Sequence, residues 1–229
     1  MRKLIMWNML TVDGGAGGGS EAADRLRVWG EELLQVSLDQ ARTVDALLLG
    51  GTSYALMSEY WSSATGDVAD LVNATPKVVF SRTLKQPAWS NTRLVTADPA
   101  SEVARLKRQP GRDLLLLGRS ALSSLLVKHG LVDEWRLAVT PVAPGGSAAR
   151  RDPDVRQRRI ALLETRRLSS GCLVVRYGQM RRSGSPRVTG SQRAITPAAL
   201  TVPNRRAHVV DGPFIETKEW PLASIGPRD

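Results

Sequence analysis

Twice in this chain a short apolar run breaks into glycine and then hydroxyl residues as a helical pattern begins. The first is Ala46-Leu47-Leu48-Leu49-Gly50-Gly51-Thr52-Ser53 and the second is Leu114-Leu115-Leu116-Leu117-Gly118-Arg119-Ser120. A wholly apolar run bounded in this way reads as a strand buried on both faces, and strands of that kind belong to parallel sheets sandwiched by helices. Each junction brings backbone N–H groups, the positive end of a helix dipole and hydroxyls to the carboxyl edge of a strand, where anionic ligands settle in α/β folds. Two such junctions in one domain point to a ligand carrying several phosphates.

The surrounding pattern alternates strand and helix as far as about residue 139. Leu4–Leu10 reads as a first strand, and Arg25–Arg42 as a helix with Leu26, Trp29, Leu33, Leu34 and Leu38 on one face. Between them, residues 14–20 form a nearly side-chain-free glycine loop. Ala46–Leu49 leads into a helix over Ser53–Trp61, followed by a short helix over Asp67–Asn73 and strands at Lys77–Phe80 and Arg93–Thr96. Asp98-Pro99 sets a capping carboxylate before a proline at the first helical position, predicting a helix over Pro99–Arg108 that Pro110-Gly111 ends. Strand Leu114–Leu117 and helix Ser120–His129 repeat the unit. Glu134–Val142, Ile160–Leu168 and Cys172–Tyr177 then read as strands, the last two joined by the turn Ser169-Ser170-Gly171. The pattern predicts a mainly parallel sheet with antiparallel strands at one edge.

Composition narrows the function classes. With 229 residues, 42% hydrophobic, the chain can bury one real core and carry an appendage. No apolar stretch approaches the ~20 residues that cross a bilayer, and no signal-peptide pattern opens the chain, which predicts a cytoplasmic protein with no membrane partner. Cys172 stands alone and His129 and His208 form no cluster with it, so no metal site is expected. Of the net charge of +10, residues 180–229 carry +4 from eight Lys/Arg against four Asp/Glu. The densest basic cluster, Arg150-Arg151 with Arg156, Arg158 and Arg159, has two aspartates and no aromatic on which a base would stack. No specific nucleic-acid partner is expected.

The ordered motifs LLLGGTSY, PKVVFSRTL, LLLLGRSALSSLLVKHGLVDEWRLAVTPV and LLETRRLSSGCLVVRY resemble the dihydrofolate-reductase-like family that includes the reductase half of the bifunctional riboflavin-biosynthesis deaminase/reductase. MRKLIMWNMLTVDG and VWGEELLQ resemble its small stand-alone bacterial members, and the likeness spans residues 1–179. It implies an α/β three-layer sandwich, NADPH as cofactor, a small heterocyclic substrate and a homodimer built through the edge strands. It implies cofactor contacts at Gly50, Gly51, Thr52 and Ser53, at Ser81, Arg82 and Thr83, and at Gly118, Arg119 and Ser120. Arg82, between two hydroxyl residues after a strand, suits a 2′-phosphate, since a guanidinium gives charge-assisted, often bidentate bonds to phosphate oxygens. Asp13 falls where the first strand turns into the loop that covers the substrate in such relatives.

Each of these residues also has a plainer reading. Ser53 and Ser120 suit helix N-caps, Arg82 a surface charge, and Asp13-Gly14 a turn pair. Trp7 and Asn8 face either core or pocket, and Tyr54, Met57, Tyr60 and Trp61 suit the packing face of a helix. The chain departs from its relatives at Gly51, where an arginine is common, in the glycine loop after Asp13, and at Ala148-Ala149-Arg150-Arg151. Three functions therefore stand: an NADPH-dependent reductase of the 5-amino-6-(5-phosphoribosylamino)uracil reductase class, a nucleotide-binding or scaffold protein that keeps the fold without turnover, and, ranked last, a nucleic-acid binder driven by positive charge without sequence specificity. The segment Val209–Glu219 resembles the signature of the YCII-related (DGPF) domains, but too little surrounds it to build one. Residues 180–229 read as a poorly ordered Pro/Arg-rich tail.

Overall fold

The alternation of apolar runs and amphipathic segments resolves into one eight-stranded sheet with helices on both faces. The computed structural model describes residues 1–12, 14, 31–118, 120–142 and 159–180, so Asp13, Arg119, the first turns expected of the 25–42 helix and the whole 181–229 tail lie outside the described residues. In chain order the elements are β1 (Leu4–Leu10), α1 (Glu31–Arg42), β2 (Val44–Gly50), α2 (Gly51–Trp61), α3 (Asp67–Ala74), β3 (Lys77–Phe80) and β4 (Thr92–Val95). They continue with α4 (Pro99–Arg108), β5 (Asp113–Leu117), α5 (Ala121–Lys128), β6 (Glu134–Val139), β7 (Ile160–Arg167) and β8 (Leu173–Gln179).

The strands lie in the order β4-β3-β2-β5-β1-β6-β8-β7. The first six are parallel, and β8 and β7 close one edge as an antiparallel hairpin. Gly171, at φ +82, makes the turn between them, its N–H donating to the Leu168 carbonyl at 3.0 Å.

Alternation along the central strands divides the core between the two faces. Leu4, Leu48, Val78, Phe80, Leu114 and Leu116 pack with α4 and α5 through Val103, Leu106, Leu122 and Leu126. Ile5, Trp7, Leu47 and Leu115 meet Leu33 of α1 on the other side, and Leu49 and Val79 meet Tyr54 and Trp89. The central β2 is buried along nearly its whole length, which is why it reads as a continuous apolar run rather than an alternating one.

Local chemistry sets the element ends. Asp98 Oδ2 accepts from the Ser101 N–H at 2.8 Å with Pro99 at the first helical position, a cap worth about 1 kcal/mol. Helix α2 starts at Gly51, two residues before the expected Ser53, because Gly50 is already extended (φ −77, ψ 160) as the last residue of β2. Strand β6 stops at Val139 rather than Val142: Pro141 has no N–H to give the ladder, and beyond Val139 the Thr140 N–H to Leu10 and the Val12 N–H to the Val142 carbonyl continue the contact with β1.

Candidate functional site

Parallel register brings the three candidate segments to one rim. Gly50 pairs with Phe80 of β3, so Ser81 follows at the same level, and Leu48 pairs with Leu116 of β5, which puts Gly118 level with Gly50. The carboxyl ends of three neighbouring strands thus deliver residues 50–53, residues 81–83, and Gly118 with Ser120 side by side.

Glycine lets these segments approach one another. A β-carbon on Gly50 would stand 3.2 Å from Ser120 Oγ, one on Gly51 3.1 Å from Ser81 Oγ, and one on Gly118 2.8 Å from Ser53 Oγ. Gly118 also has φ +86, where an L side chain is strained. Every junction glycine therefore rests on a serine of a neighbouring segment. A side chain at Gly51 would require the Ser81 hydroxyl to give way by a few tenths of an ångström.

Of the two serines that the plainer reading made N-caps, Ser120 stands at that position and Ser53 does not. Ser53 sits inside the first turn of α2, whose N-cap is Gly50 and has no side-chain cap bond. Ser120 is at the N-cap of α5, yet its Oγ is buried without a hydrogen-bond partner. Ser123 fills the other half of the capping arrangement, its Oγ accepting from the Ser120 N–H at 2.9 Å. The N-terminus of α2, which has no side-chain cap, and that of α5, where Ser123 Oγ takes the Ser120 N–H, face one rim, the arrangement that receives a phosphate in α/β proteins. Ser81 behaves otherwise: its Oγ accepts from the N–H groups of Thr83 at 3.3 Å and Leu84 at 3.1 Å, closing a turn that leaves Arg82 and Thr83 exposed.

One supporting residue carries no clear sequence signal. Asn8 is buried at the rim end of β1, and with its amide oriented to put the nitrogen toward the neighbouring carbonyls it donates to that of Gly118 at 3.3 Å and that of Trp7 at 3.1 Å. Trp7 belongs to the core beneath α1. The role of Ser123 was legible in principle, since Ser-x-x-Ser before an apolar run is a variant of the capping signature. Tyr54, Met57 and Trp61 form the packing face expected of them, and Tyr60 lies edge-on to Trp61 with ring centres 4.9 Å apart. The Gly14 N–H donates to the Thr11 carbonyl at 2.9 Å, and Gly14 has φ +79.

A cleft of about 340 Å³ lies elsewhere, on the α1 face over β6, β7 and β8. Burial alone would raise the pKa of Glu134 beneath it, but the guanidiniums of Arg136 at 2.7 Å and Arg176 at 2.9 Å override that and hold it below the ordinary carboxylate range. Those arginines are committed to the carboxylates of the fold, and the cleft is separate from the glycine–serine rim. Among the described residues no group of histidine, cysteine and carboxylate side chains could hold a metal ion.

Residues 2–174 match the family model of the RibD C-terminal domain. The chain belongs to the RibD C-terminal domain family. Within it, the uncharacterized protein YyaP of Bacillus subtilis (strain 168) is 33% identical over 149 residues, 61% of this chain and 76% of that protein. Among solved structures, a protein of Shewanella sp. PV-4 named provisionally for riboflavin biosynthesis superposes with a TM-score of 0.61 at 15% identity, covering 78% of this chain and 99% of the other. A pyrimidine reductase-like protein of Corynebacterium diphtheriae gives 0.54 at 14% identity, covering 79% and 92%. Acinetobacter baumannii RibD gives 0.55 at 18% identity, over 79% of this chain and 59% of that one. At these identities the likeness establishes the fold, that of the dihydrofolate-reductase-like reductases, and not the substrate.

Proposed function

We propose that this RibD C-terminal domain protein is an NADPH-dependent oxidoreductase acting on a small heterocyclic compound, of the 5-amino-6-(5-phosphoribosylamino)uracil reductase class, working in the cytoplasm. The observation that carries the reading is the meeting at one sheet rim of the uncapped N-terminus of α2, the N-terminus of α5 and the exposed Arg82 segment, with the Ser120 hydroxyl buried there without a hydrogen-bond partner. When bound, the nicotinamide supplies a hydride. The N–H groups of Gly51, Thr52 and Ser53 and the hydroxyls of Ser53 and Ser120 hold the pyrophosphate, the latter after rotation of Ser120 about χ1. Arg82 and Thr83 take the 2′-phosphate, with Ser81 shaping their turn, and Arg119 and Asp13 complete the proposed set on the cofactor and substrate sides respectively. Hydride transfer asks the protein chiefly to hold donor against acceptor and keep water out, so the chain's contribution is positioning.

Titration with NADPH, read by nicotinamide fluorescence, tests the proposal. Saturable binding is expected, with Arg82→Ala weakening NADPH about tenfold or more, the scale of a charged hydrogen bond, and NADH much less. Absence of binding at millimolar cofactor sinks it. Gly51 favours a second reading, a nucleotide-binding protein without turnover, because one phosphate-binding cation is missing relative to the family pattern. Saturable NADPH binding with no oxidation of it by pyrimidine or pteridine acceptors selects that alternative.

The edge hairpin supports a homodimer. Ile160, Leu162 and Leu173 are 38%, 49% and 36% exposed, and β7 has one unpaired edge. Leu162→Glu is expected to convert a dimer to a monomer in light-scattering chromatography, and an unchanged wild-type monomer contradicts this assembly.

A further inference from the structure

The loop between β3 and β4 is tied down more heavily than a surface connection requires. At its far end the Trp89 side chain is 3% exposed, its backbone N–H donates to the Tyr54 hydroxyl at 3.0 Å, and its indole Nε1 donates to Asn73 Oδ1 at 2.6 Å. The Tyr54 and Trp89 rings lie 6.1 Å apart at a 46° tilt. Lys77 Nζ stands 4.5 Å from the centre of the indole and donates to the Ser90 carbonyl at 3.2 Å. At the near end, the turn closed by Ser81 leads to Leu84, which packs into the cluster that holds Tyr54 and Trp89. Between the anchors, Arg82 and Thr83 are exposed.

Of these ties, the one from Tyr54 joins the loop to the helix whose first residues form the rim. Tyr54 lies one turn into α2, three residues after Gly51, and its buried hydroxyl is the contact by which that helix grips the loop backbone. We infer that Tyr54 is a positioning residue for cofactor selectivity: its hydroxyl sets the distance between the phosphate-facing end of α2 and the guanidinium of Arg82. This rests on the NADPH reading above and deepens it. Two oxygens of a rigid dinucleotide, one on the pyrophosphate and one on the 2′-phosphate, demand a fixed spacing between their receptors, and a loop held only by an apolar plug does not supply it. Removing the hydroxyl leaves the Trp89 N–H buried without an acceptor, and the loop relieves that by shifting.

The test is Tyr54→Phe, which keeps the ring and removes one atom. NADPH affinity is expected to fall about three- to tenfold, on the scale of one lost buried hydrogen bond, while NADH affinity stays within twofold. In combination with Arg82→Ala the loss is expected not to increase, because Tyr54 acts through that guanidinium. Hydrogen exchange of the 81–90 segment, measured on the cofactor-free protein, is expected to quicken in Tyr54→Phe. Trp89→Phe, which loosens the same loop from α3, is expected to lower the NADPH-to-NADH preference in the same direction. Equal weakening of both cofactors, or additive losses with Arg82→Ala, overturns the inference while leaving the NADPH reading intact. A wild type that binds neither cofactor overturns the reading itself, and unchanged exchange at 81–90 in the variant then overturns the loop anchor as well.

Discussion

The Ser53 hydroxyl of α2 occupies the space beside Gly118 so fully that a β-carbon at Gly118 would stand 2.8 Å from it. Replacing Gly118 by Ala therefore meets two penalties, a side chain at φ +86 and an overlap with the neighbouring junction. The expected loss is about 2 kcal/mol or more in urea unfolding. Adding Ser53→Ala removes only the overlap, so the double variant should recover about 1 kcal/mol of it. Strict additivity would mean that the two junctions are not in contact.

Ser120→Ala separates stability from binding. Its Oγ is buried without a partner, so deleting it should leave the cofactor-free protein as stable as before or up to about 1 kcal/mol more stable. NADPH affinity should fall several-fold in the same protein. A variant that loses stability without losing affinity would identify Ser120 as a cap and nothing more.

Lys77 introduces a pH dependence of unusual sign for a mainly parallel sheet core. It is 1% exposed, donates to the carbonyls of Asn73, Thr75 and Ser90, and burial pushes its pKa down from 10.5 to about 8. Between pH 8 and 10.5 the unfolded chain holds the proton that the folded chain has released, so stability rises with pH through that window, by about 3 kcal/mol at most. Lys77→Met should lack this rise when urea midpoints are followed from pH 7 to 11. Parallel profiles for the two proteins would show that the ammonium is not penalised.

Glu102 acts in the opposite pH range. Hydrogen bonds from Arg105, with Arg93 of β4 adding a second guanidinium at 2.6 Å, hold its carboxyl down from 4.5 to about 2. Its stabilising contribution is complete above pH 4.5 and is lost as pH falls toward 2. Because both arginines are about half exposed, the loss should be only about 1–2 kcal/mol. Glu102→Gln should be less stable than wild type at pH 6 and converge with it near pH 2, and a constant difference across that range would remove the ion pair from the account.

Much of the fold was legible because its signals are local. The apolar runs of β2 and β5, the Asp98-Pro99 start of α4 and the glycine turn at 171 each depend on residues within one turn or one strand, and each falls within a few residues of its expected position. The start of α2 was less legible, since Gly50 and Gly51 resemble a loop in sequence and become strand end and helix start only through pairing with Phe80 and contact with Ser81. Asn8 shows the limit for the site: nothing in Trp7-Asn8-Met9 distinguishes an amide that holds the Gly118 carbonyl from one that faces a core or a pocket.

By itself, the sequence determined a parallel sheet between two helical layers, an antiparallel closing hairpin, and the three segments that carry N–H groups and hydroxyls at strand ends, because periodicity and turn chemistry are written in neighbouring residues. Tertiary structure alone decided that those segments share one rim, that Ser120 leaves its hydroxyl unpaired, and that Tyr54 holds Trp89. Those relations join residues tens of positions apart, and only strand register and the packing of a helix on its sheet set the distances between them.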